Sequence, residues 1–340
     1  VSKLIFVGPL SYKEHPEKTG GAIVQFETIL NELDVLDIKY STLDTNKLNY
    51  KHKLSAFSSI IGQYVKLVCK GDVVVYFSST NYKIFLPFFG LLKWIKPHSL
   101  LFRKIGGDFE SDYTSSALHR LYIRFLLKKV DIIYAESFGL TQFLKAKGFN
   151  AEQFLNAREK PDQSFQEVEA DKLNLVYIGR LTKSKGIENL IEIDDKLRNT
   201  VIDIYGPMES VSPEIFSNTK NIAYRGCFVN SEIYDVLRQY HAVLLPSEFR
   251  GEGHPGSIIE ALMMGKPVIT TKINYNKELV KEGFNGVLIE NNSPDEIMRG
   301  ITRLKGANYQ EMSKNAKESV EAFDVTQNVK KLLKELKYED

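Results

Sequence analysis

Short apolar runs recur along this 340-residue chain, at intervals filled by segments whose apolar residues repeat near every 3.6 positions. In the first half the runs are 4–7, 35–40, 72–77, 99–105 and 131–135, with helical patterns such as 22–33 and 118–129 between them. The second half repeats the rhythm at 174–178, 201–205, 221–224, 242–245, 267–271 and 286–289. Strands alternating with helices in this way predict parallel sheets covered on both faces. With 43% hydrophobic residues the chain can bury two cores, of about 150 to 170 residues each. The polar, aperiodic stretch 156–171, which contains Pro161, is the predicted hinge between domains 1–158 and 165–322. Segment 324–338 places Val325, Val329, Leu332, Leu333 and Leu336 on one helical face, so the piece 323–340 is expected to return to the N-terminal domain. Ligands of open α/β sheets bind beyond the carboxyl ends of strands, which puts the expected chemistry in a cleft that the two domains face.

Charge excludes little but narrows the field. The net charge is +2, divided as +6 over residues 1–155 and −4 over the remainder, without the dense basic runs of a nucleic-acid binder. Cys69 and Cys227 are too far apart in sequence for a disulfide framework or a zinc spacing, which fits a reducing cytoplasm. The start of the chain, residues 1–8, reads as a first core strand rather than a charged leader. No run reaches ~18 uninterrupted apolar residues, so a membrane span is not expected.

Residues 252–260 carry two carboxylates, Glu252 and Glu260, eight positions apart across a Gly-rich loop that opens an apolar helix. Backbone amides at such a helix start suit an anion. Carboxylates repel a phosphate, so their expected targets are neutral hydroxyls on either side of it, as a sugar and a ribose flank a pyrophosphate. Residues 179–186, Gly-Arg-Leu-Thr-Lys-Ser-Lys-Gly, follow the first strand of the second half and set Arg180, Lys183 and Lys185 on one turn. A planar guanidinium and a mobile ammonium together suit a diphosphate whose charge grows as it departs.

These motifs, with Leu245-Pro246-Ser247 and Gly265-Lys-Pro-Val-Ile269, resemble those of glycosyltransferase family 4, retaining nucleotide-sugar enzymes of the GT-B fold, many of which build bacterial surface polysaccharides. The resemblance covers essentially the whole second half and implies two doubly wound Rossmann-like domains, the first for the acceptor and the second for the donor. It implies that Arg180 and Lys185 hold the donor diphosphate, that Glu252 bonds the transferred sugar and that Glu260 bonds the ribose. It implies amide contacts around Gly256, Ser257 and Ile258, and places Gly179, Gly206, Phe228 and Val229 near the nucleotide. Relatives usually carry Phe-Gly-Leu after the first Glu-Gly. This chain has His254-Pro255-Gly256-Ser257, so His254 is a candidate sugar contact and Pro255 removes one donor.

In the first half, Gly20 and Gly21 precede a helix, where paired glycines let a phosphate or sugar approach the backbone. The insert 11–18 ahead of them reads as a mobile loop. Asp108 ends the strand 99–105 where relatives often have a histidine, and is a candidate catalytic or acceptor-side residue or a helix N-cap. Segments 86–97 and 118–129 mix apolar and basic residues. Packing on the sheet is their expected role, with peripheral contact to an anionic membrane at the inner face of the cell membrane as the alternative.

The expected reaction is metal-independent transfer of a hexose from a nucleotide diphosphate donor, UDP above all, to a saccharide or lipid-linked saccharide. No Asp-x-Asp metal motif occurs, and Arg180 and Lys185 take the cation's place. No cofactor or nucleic acid is expected. The rivals are a glycoside hydrolase working through Glu252 and Glu260, a GT-B nucleotide-sugar epimerase, and a non-catalytic nucleotide-sugar-binding subunit.

Overall fold

The computed structural model describes residues 3–12, 14–15, 20–161 and 172–338. Thr19, part of the insert 11–18 and the end of the hinge stretch, 162–171, lie outside the described residues.

The chain divides into two units, Val1–Glu159 with Asp324–Asp340, and Lys160–Phe323. The first holds strands β1 (Leu4–Gly8), β2 (Tyr40–Asp44), β3 (Val73–Ser78), β4 (Ser99–Lys104), β5 (Ile132–Ala135) and β6 (Ala151–Gln153). Its helices are α1 (Gly21–Val35), α2 (Lys53–Val68), α3 (Tyr82–Ile95), α4 (Phe109–Thr114), α5 (Ala117–Leu127) and α6 (Phe138–Ala146). The sheet order is β2-β1-β3-β4-β5-β6, and every pairing is parallel. Strands β1 and β3 are buried at every position, which is why they read as unbroken apolar runs.

The run 35–40 is placed differently from its sequence reading. Helix α1 continues to Val35, Asp37 turns the chain at φ +56, and β2 begins only at Tyr40. Its sequence Tyr-Ser-Thr-Leu-Asp buries Leu43 alone, because an edge strand has one wet face and loses the apolar signature. The three-residue β6 at the other edge left no signature either.

The second unit holds β7 (Leu173–Ile178), β8 (Thr200–Tyr205), β9 (Ile222–Gly226), β10 (Ala242–Leu245), β11 (Val268–Thr271) and β12 (Gly286–Ile289). Its helices are α7 (Ile187–Glu192), α8 (Ile233–Arg238), α9 (Gly256–Met263), α10 (Asn276–Leu279), α11 (Pro294–Lys305) and α12 (Tyr309–Glu318). The order β12-β11-β10-β7-β8-β9 is again all parallel and reverses direction between β7 and β10. At such a reversal the connections leave on opposite faces and open a crevice at the carboxyl ends of the two strands.

Helix α13 (Val325–Glu335) is capped by the Asp324 carboxylate, which accepts from the Gln327 amide at 2.8 Å. Val325, Val329, Leu332 and Leu333 share a buried cluster with Phe6, Phe26 and Phe77, so α13 completes the core of the first unit. Tyr134 donates to Glu335 at 2.7 Å at its far end. Leu332→Ala should therefore destabilise the protein by about 3 kcal/mol. Chemical denaturation checks this, and a loss below about 1 kcal/mol would mean that the site behaves as surface.

Candidate functional site

The crevice of the second unit is built from the turn after β7 and the loop after β10. Strand β7 runs into Gly179, whose amide donates to Tyr205 O at 3.1 Å at the end of β8. Gly206 has φ +134, and a Cβ there would lie 1.9 Å from Gly179 O, so only glycine lets the two strand ends meet. Gly186 has φ +82, and its missing Cβ makes room for Pro246 O at 2.7 Å. The Glu248 amide donates to Ser184 O at 2.8 Å, which stitches the 179–186 turn to the loop after β10.

That stitching brings two predicted site residues into contact. Lys185 Nζ donates to Glu252 Oε1, across 67 positions of sequence. Their side chains are only 11% and 10% exposed. The same Glu252 oxygen accepts from Ser247 Oγ at 2.9 Å. Arg180 is half-exposed, pairs with Glu209 at 3.2 Å and stands 5.5 Å over the Phe249 ring. Lys185 Nζ lies 5.5 Å from that same ring, so Phe249 holds both cations by its π face. The buried Tyr177 hydroxyl donates to Arg180 O at 2.8 Å. Burial and the Glu252 charge push its pKa well up, which keeps it a donor.

Helix α9 starts after Pro255, and its first turn presents the amides of Gly256 and Ser257, while that of Ile258 is taken by Pro255 O at 3.2 Å. Glu260 is buried four positions after Gly256, on the same face of the helix. His254 is buried too, and its Nε2 lies 3.1 Å from Glu278 Oε2 of α10. At the end of β9, Phe228 packs edge-on against Tyr205 with ring centroids 5.5 Å apart, and Val229 is exposed.

The remaining predicted residues belong to the first unit. Gly20 is the N-cap residue of α1, and a Cβ on Gly20 or Gly21 would meet nothing within 4 Å. Internal packing therefore does not demand glycine at either position. Asp108 stands at the N-cap position of α4 but makes no cap bond. It accepts instead from the fully buried Lys104 at 2.7 Å. Beside it Glu136 accepts from the Gly106 amide at 2.9 Å and from Gln25 at 2.9 Å, with Arg103 at 3.9 Å. Burial pushes the Arg103 guanidinium down to about 10, against the pull of Glu136.

Sequence reasoning passed over Ser247, Phe249, Lys104 and Glu136 as individual contributors. Asn274 was missed as well: its side chain donates to Arg250 O at 2.9 Å and to Glu252 O at 3.0 Å, holding the loop from below. Glu136 had a usable signal, a charge directly after a buried strand. Asn274 had none, since it is simply one of several polar residues after β11.

A family model described as glycosyl transferases group 1 matches residues 159–319. The chain is thus similar to the group 1 glycosyl transferases over that segment. An uncharacterized glycosyltransferase of Methanocaldococcus jannaschii is 26% identical over 231 residues, covering 61% of this chain and 57% of that protein. An Escherichia coli UDP-Gal:α-D-GlcNAc-diphosphoundecaprenol α-1,3-galactosyltransferase is 36% identical over 106 residues, 30% of this chain and 26% of that one. The chain spans about half the length of the curated relatives it matches first.

Two solved structures resemble the whole fold. Sucrose-phosphate synthase from Thermosynechococcus elongatus has a TM-score of 0.75 at 14% identity, covering 98% of this chain and 99% of that one. Anabaena HepE in complex with UDP and glucose has a TM-score of 0.75 at 16% identity, covering 100% of both chains. The chain thus has the GT-B fold of two Rossmann-like units.

Proposed function

We propose that this protein is a retaining glycosyltransferase that moves a hexose from a nucleoside diphosphate donor, UDP-linked, to a hydroxyl of a saccharide or lipid-linked saccharide. The observation that carries the reading is the Lys185–Glu252 contact at the carboxyl ends of β7 and β10, with Arg180 and Phe249 beside it. A buried ammonium held by one carboxylate oxygen keeps further protons for a phosphate oxygen. Arg180, half-exposed, can exchange Glu209 for the donor. Two cations aimed at the leaving diphosphate stabilise the charge that develops there, the work otherwise done by a metal ion. The acceptor proton then passes to the departing phosphate oxygen as the C–O bond to the acceptor forms on the face the leaving group vacates.

In this reading the amides of Gly256 and Ser257 receive the phosphate or sugar, and Glu260 the ribose hydroxyls. Glu252 positions Lys185 through one oxygen and meets the sugar with the other. Phe228 and Val229 wall the base, with Gly206 allowing close backbone approach. His254 acts through Glu278 rather than on the donor directly. Asp108, held by Lys104, and the glycines at 20 and 21 serve the acceptor side. The UDP bound to Anabaena HepE, a whole-chain structural likeness, and the UDP-Gal donor of the Escherichia coli relative support the choice of nucleotide.

A thermal-shift screen of nucleoside diphosphates and their sugars, followed by turnover of the hits with and without acceptor, tests the reading. Stabilisation by UDP-sugar and acceptor-dependent release of UDP, with the product anomeric configuration unchanged by NMR, is the expected result. Indifference to every activated sugar would remove it, and product without acceptor would point to an epimerase. Glu252→Gln should lower kcat roughly 100-fold while UDP affinity changes only a few-fold. Outright loss of UDP binding would mean that the two glutamates have exchanged roles.

A further inference from the structure

Helix α3 is apolar all round, and the structure shows why one face is not enough to explain it. Tyr82, Phe85, Leu86 and Phe89 are buried on the sheet. On the opposite side Ile84, Phe88, Leu91, Trp94 and Ile95 face water, Trp94 with 78% of its surface exposed. The neighbouring α5 does the same. It buries Ile123, Leu126 and Leu127 and exposes Leu118 at 80%, Phe125 at 67%, and also Leu121 and Tyr122. Nine of the fourteen large hydrophobic residues exposed among the described residues therefore sit on these two helices. The sequence expectation of core packing holds for one face of each and fails for the other.

The two faces form one surface. Tyr122 donates to Lys83 O at 2.7 Å, and Lys93 Nζ reaches Lys129 O at 3.1 Å, tying the helices side by side along their length. Over residues 82–96 and 117–129 there are seven Lys and Arg and not one Asp or Glu, and two of the seven, Lys83 and Lys93, are each paired at 2.5 Å with a carboxylate outside these ranges, Asp112 and Asp131. Lys96, Arg120, Lys128 and Lys129 are exposed at the helix ends and between the apolar residues. Apolar patches of this kind on a monomer mark an interaction site. The cationic complement selects among partners: an apolar surface needs an apolar solvent, and the exposed cations Lys96, Arg120, Lys128 and Lys129 need a sheet of negative charge beside it. An anionic bilayer supplies both in one plane, with acyl chains for Trp94 and Phe125 and headgroups for Arg120 and Lys128, whose stems can lie along the apolar face.

We propose that α3 and α5 form a docking face that lays the first unit on an anionic lipid surface. No helix among the described residues is long and apolar enough to cross a membrane, so the contact is interfacial. The face stands on these two helices alone. That it brings a lipid-linked acceptor to the enzyme rests on the transfer reading above.

The test uses the full chain, and the protein carries its own probe, because Trp94 is its single tryptophan. Phosphatidylcholine vesicles containing phosphatidylglycerol should shift Trp94 emission to shorter wavelength, and brominated acyl chains should quench it. Each basic residue near the surface is worth about fivefold in partition, so Arg120→Gln with Lys128→Gln should weaken vesicle binding roughly 25-fold at low salt. Leu118→Ser with Leu121→Ser should weaken it at least as much, with an unchanged melting temperature showing that the fold survives. Unchanged Trp94 emission with anionic vesicles overturns the proposal, as does equal binding to pure phosphatidylcholine. Self-association without lipid that the serine variants abolish would assign the face to a second copy of the chain and likewise overturn it. Vesicle binding without any nucleotide-sugar turnover would leave the docking face standing and remove only the transfer reading.

Discussion

Lys185→Ala is expected to lower kcat by a factor on the order of 10² to 10³ and to weaken UDP binding, because the ammonium that meets the leaving diphosphate in the proposed transfer is gone. Stability falls as well, since Lys185 also neutralises the nearly buried Glu252. Removing one partner of such a pair costs about 3 kcal/mol through the charge left behind. The double variant Lys185→Met with Glu252→Gln separates the two effects. It leaves no buried charge and keeps a hydrogen-bonding partner for Ser247, so the melting temperature should recover most of what the single variant lost. Turnover should stay as low as in Lys185→Ala. Recovery of turnover with stability would show that the lysine matters to the fold and not to the chemistry. Arg180→Ala should follow the same direction with less effect on stability, because its pairing with Glu209 is at the surface.

Gly206→Ala carries the second large effect, and it acts through geometry alone. The φ of +134 lies where an L-residue is strained, and the new Cβ would sit 1.9 Å from the Gly179 carbonyl oxygen. Backbone cannot yield as a side chain can, so β8 and the turn after β7 must separate. A loss of about 3 kcal/mol or more is expected from strain and overpacking together. The 179–186 turn would move with it, and turnover should fall further than the stability loss alone explains. Gly20→Ala is the control: nothing lies within 4 Å of its Cβ position, so thermal stability should be unchanged. Equal melting temperatures for Gly206→Ala and the native protein would refute this account of the strand ends.

Much of the architecture could be read before any coordinates, because it is written in local periods. Buried strands such as β1, β3 and β10 announced themselves as unbroken apolar runs, and the edge strands β2 and β6 did not, since half their side chains meet water. Of the glycines that the backbone requires, 186 lay inside a recognised motif, and 206 was marked separately as a position near the nucleotide. His254 illustrates the opposite case. Its position in the loop suggested a sugar contact, and the structure adds a partner for its Nε2, Glu278, 24 residues away, that no spacing rule announces.

By itself the sequence determined two βαβ arrays, the motifs at the ends of their strands and the kind of chemistry those motifs suit, since each depends on residues close together in the chain. Tertiary structure alone decided that β7 and β10 are neighbours. That adjacency brings Lys185 to Glu252, and with it Phe249 under both cations. It also decided that the second faces of α3 and α5 stay uncovered. Helical periodicity tells which residues share a face, but whether that face meets a sheet, water or lipid depends on what the rest of the chain leaves beside it.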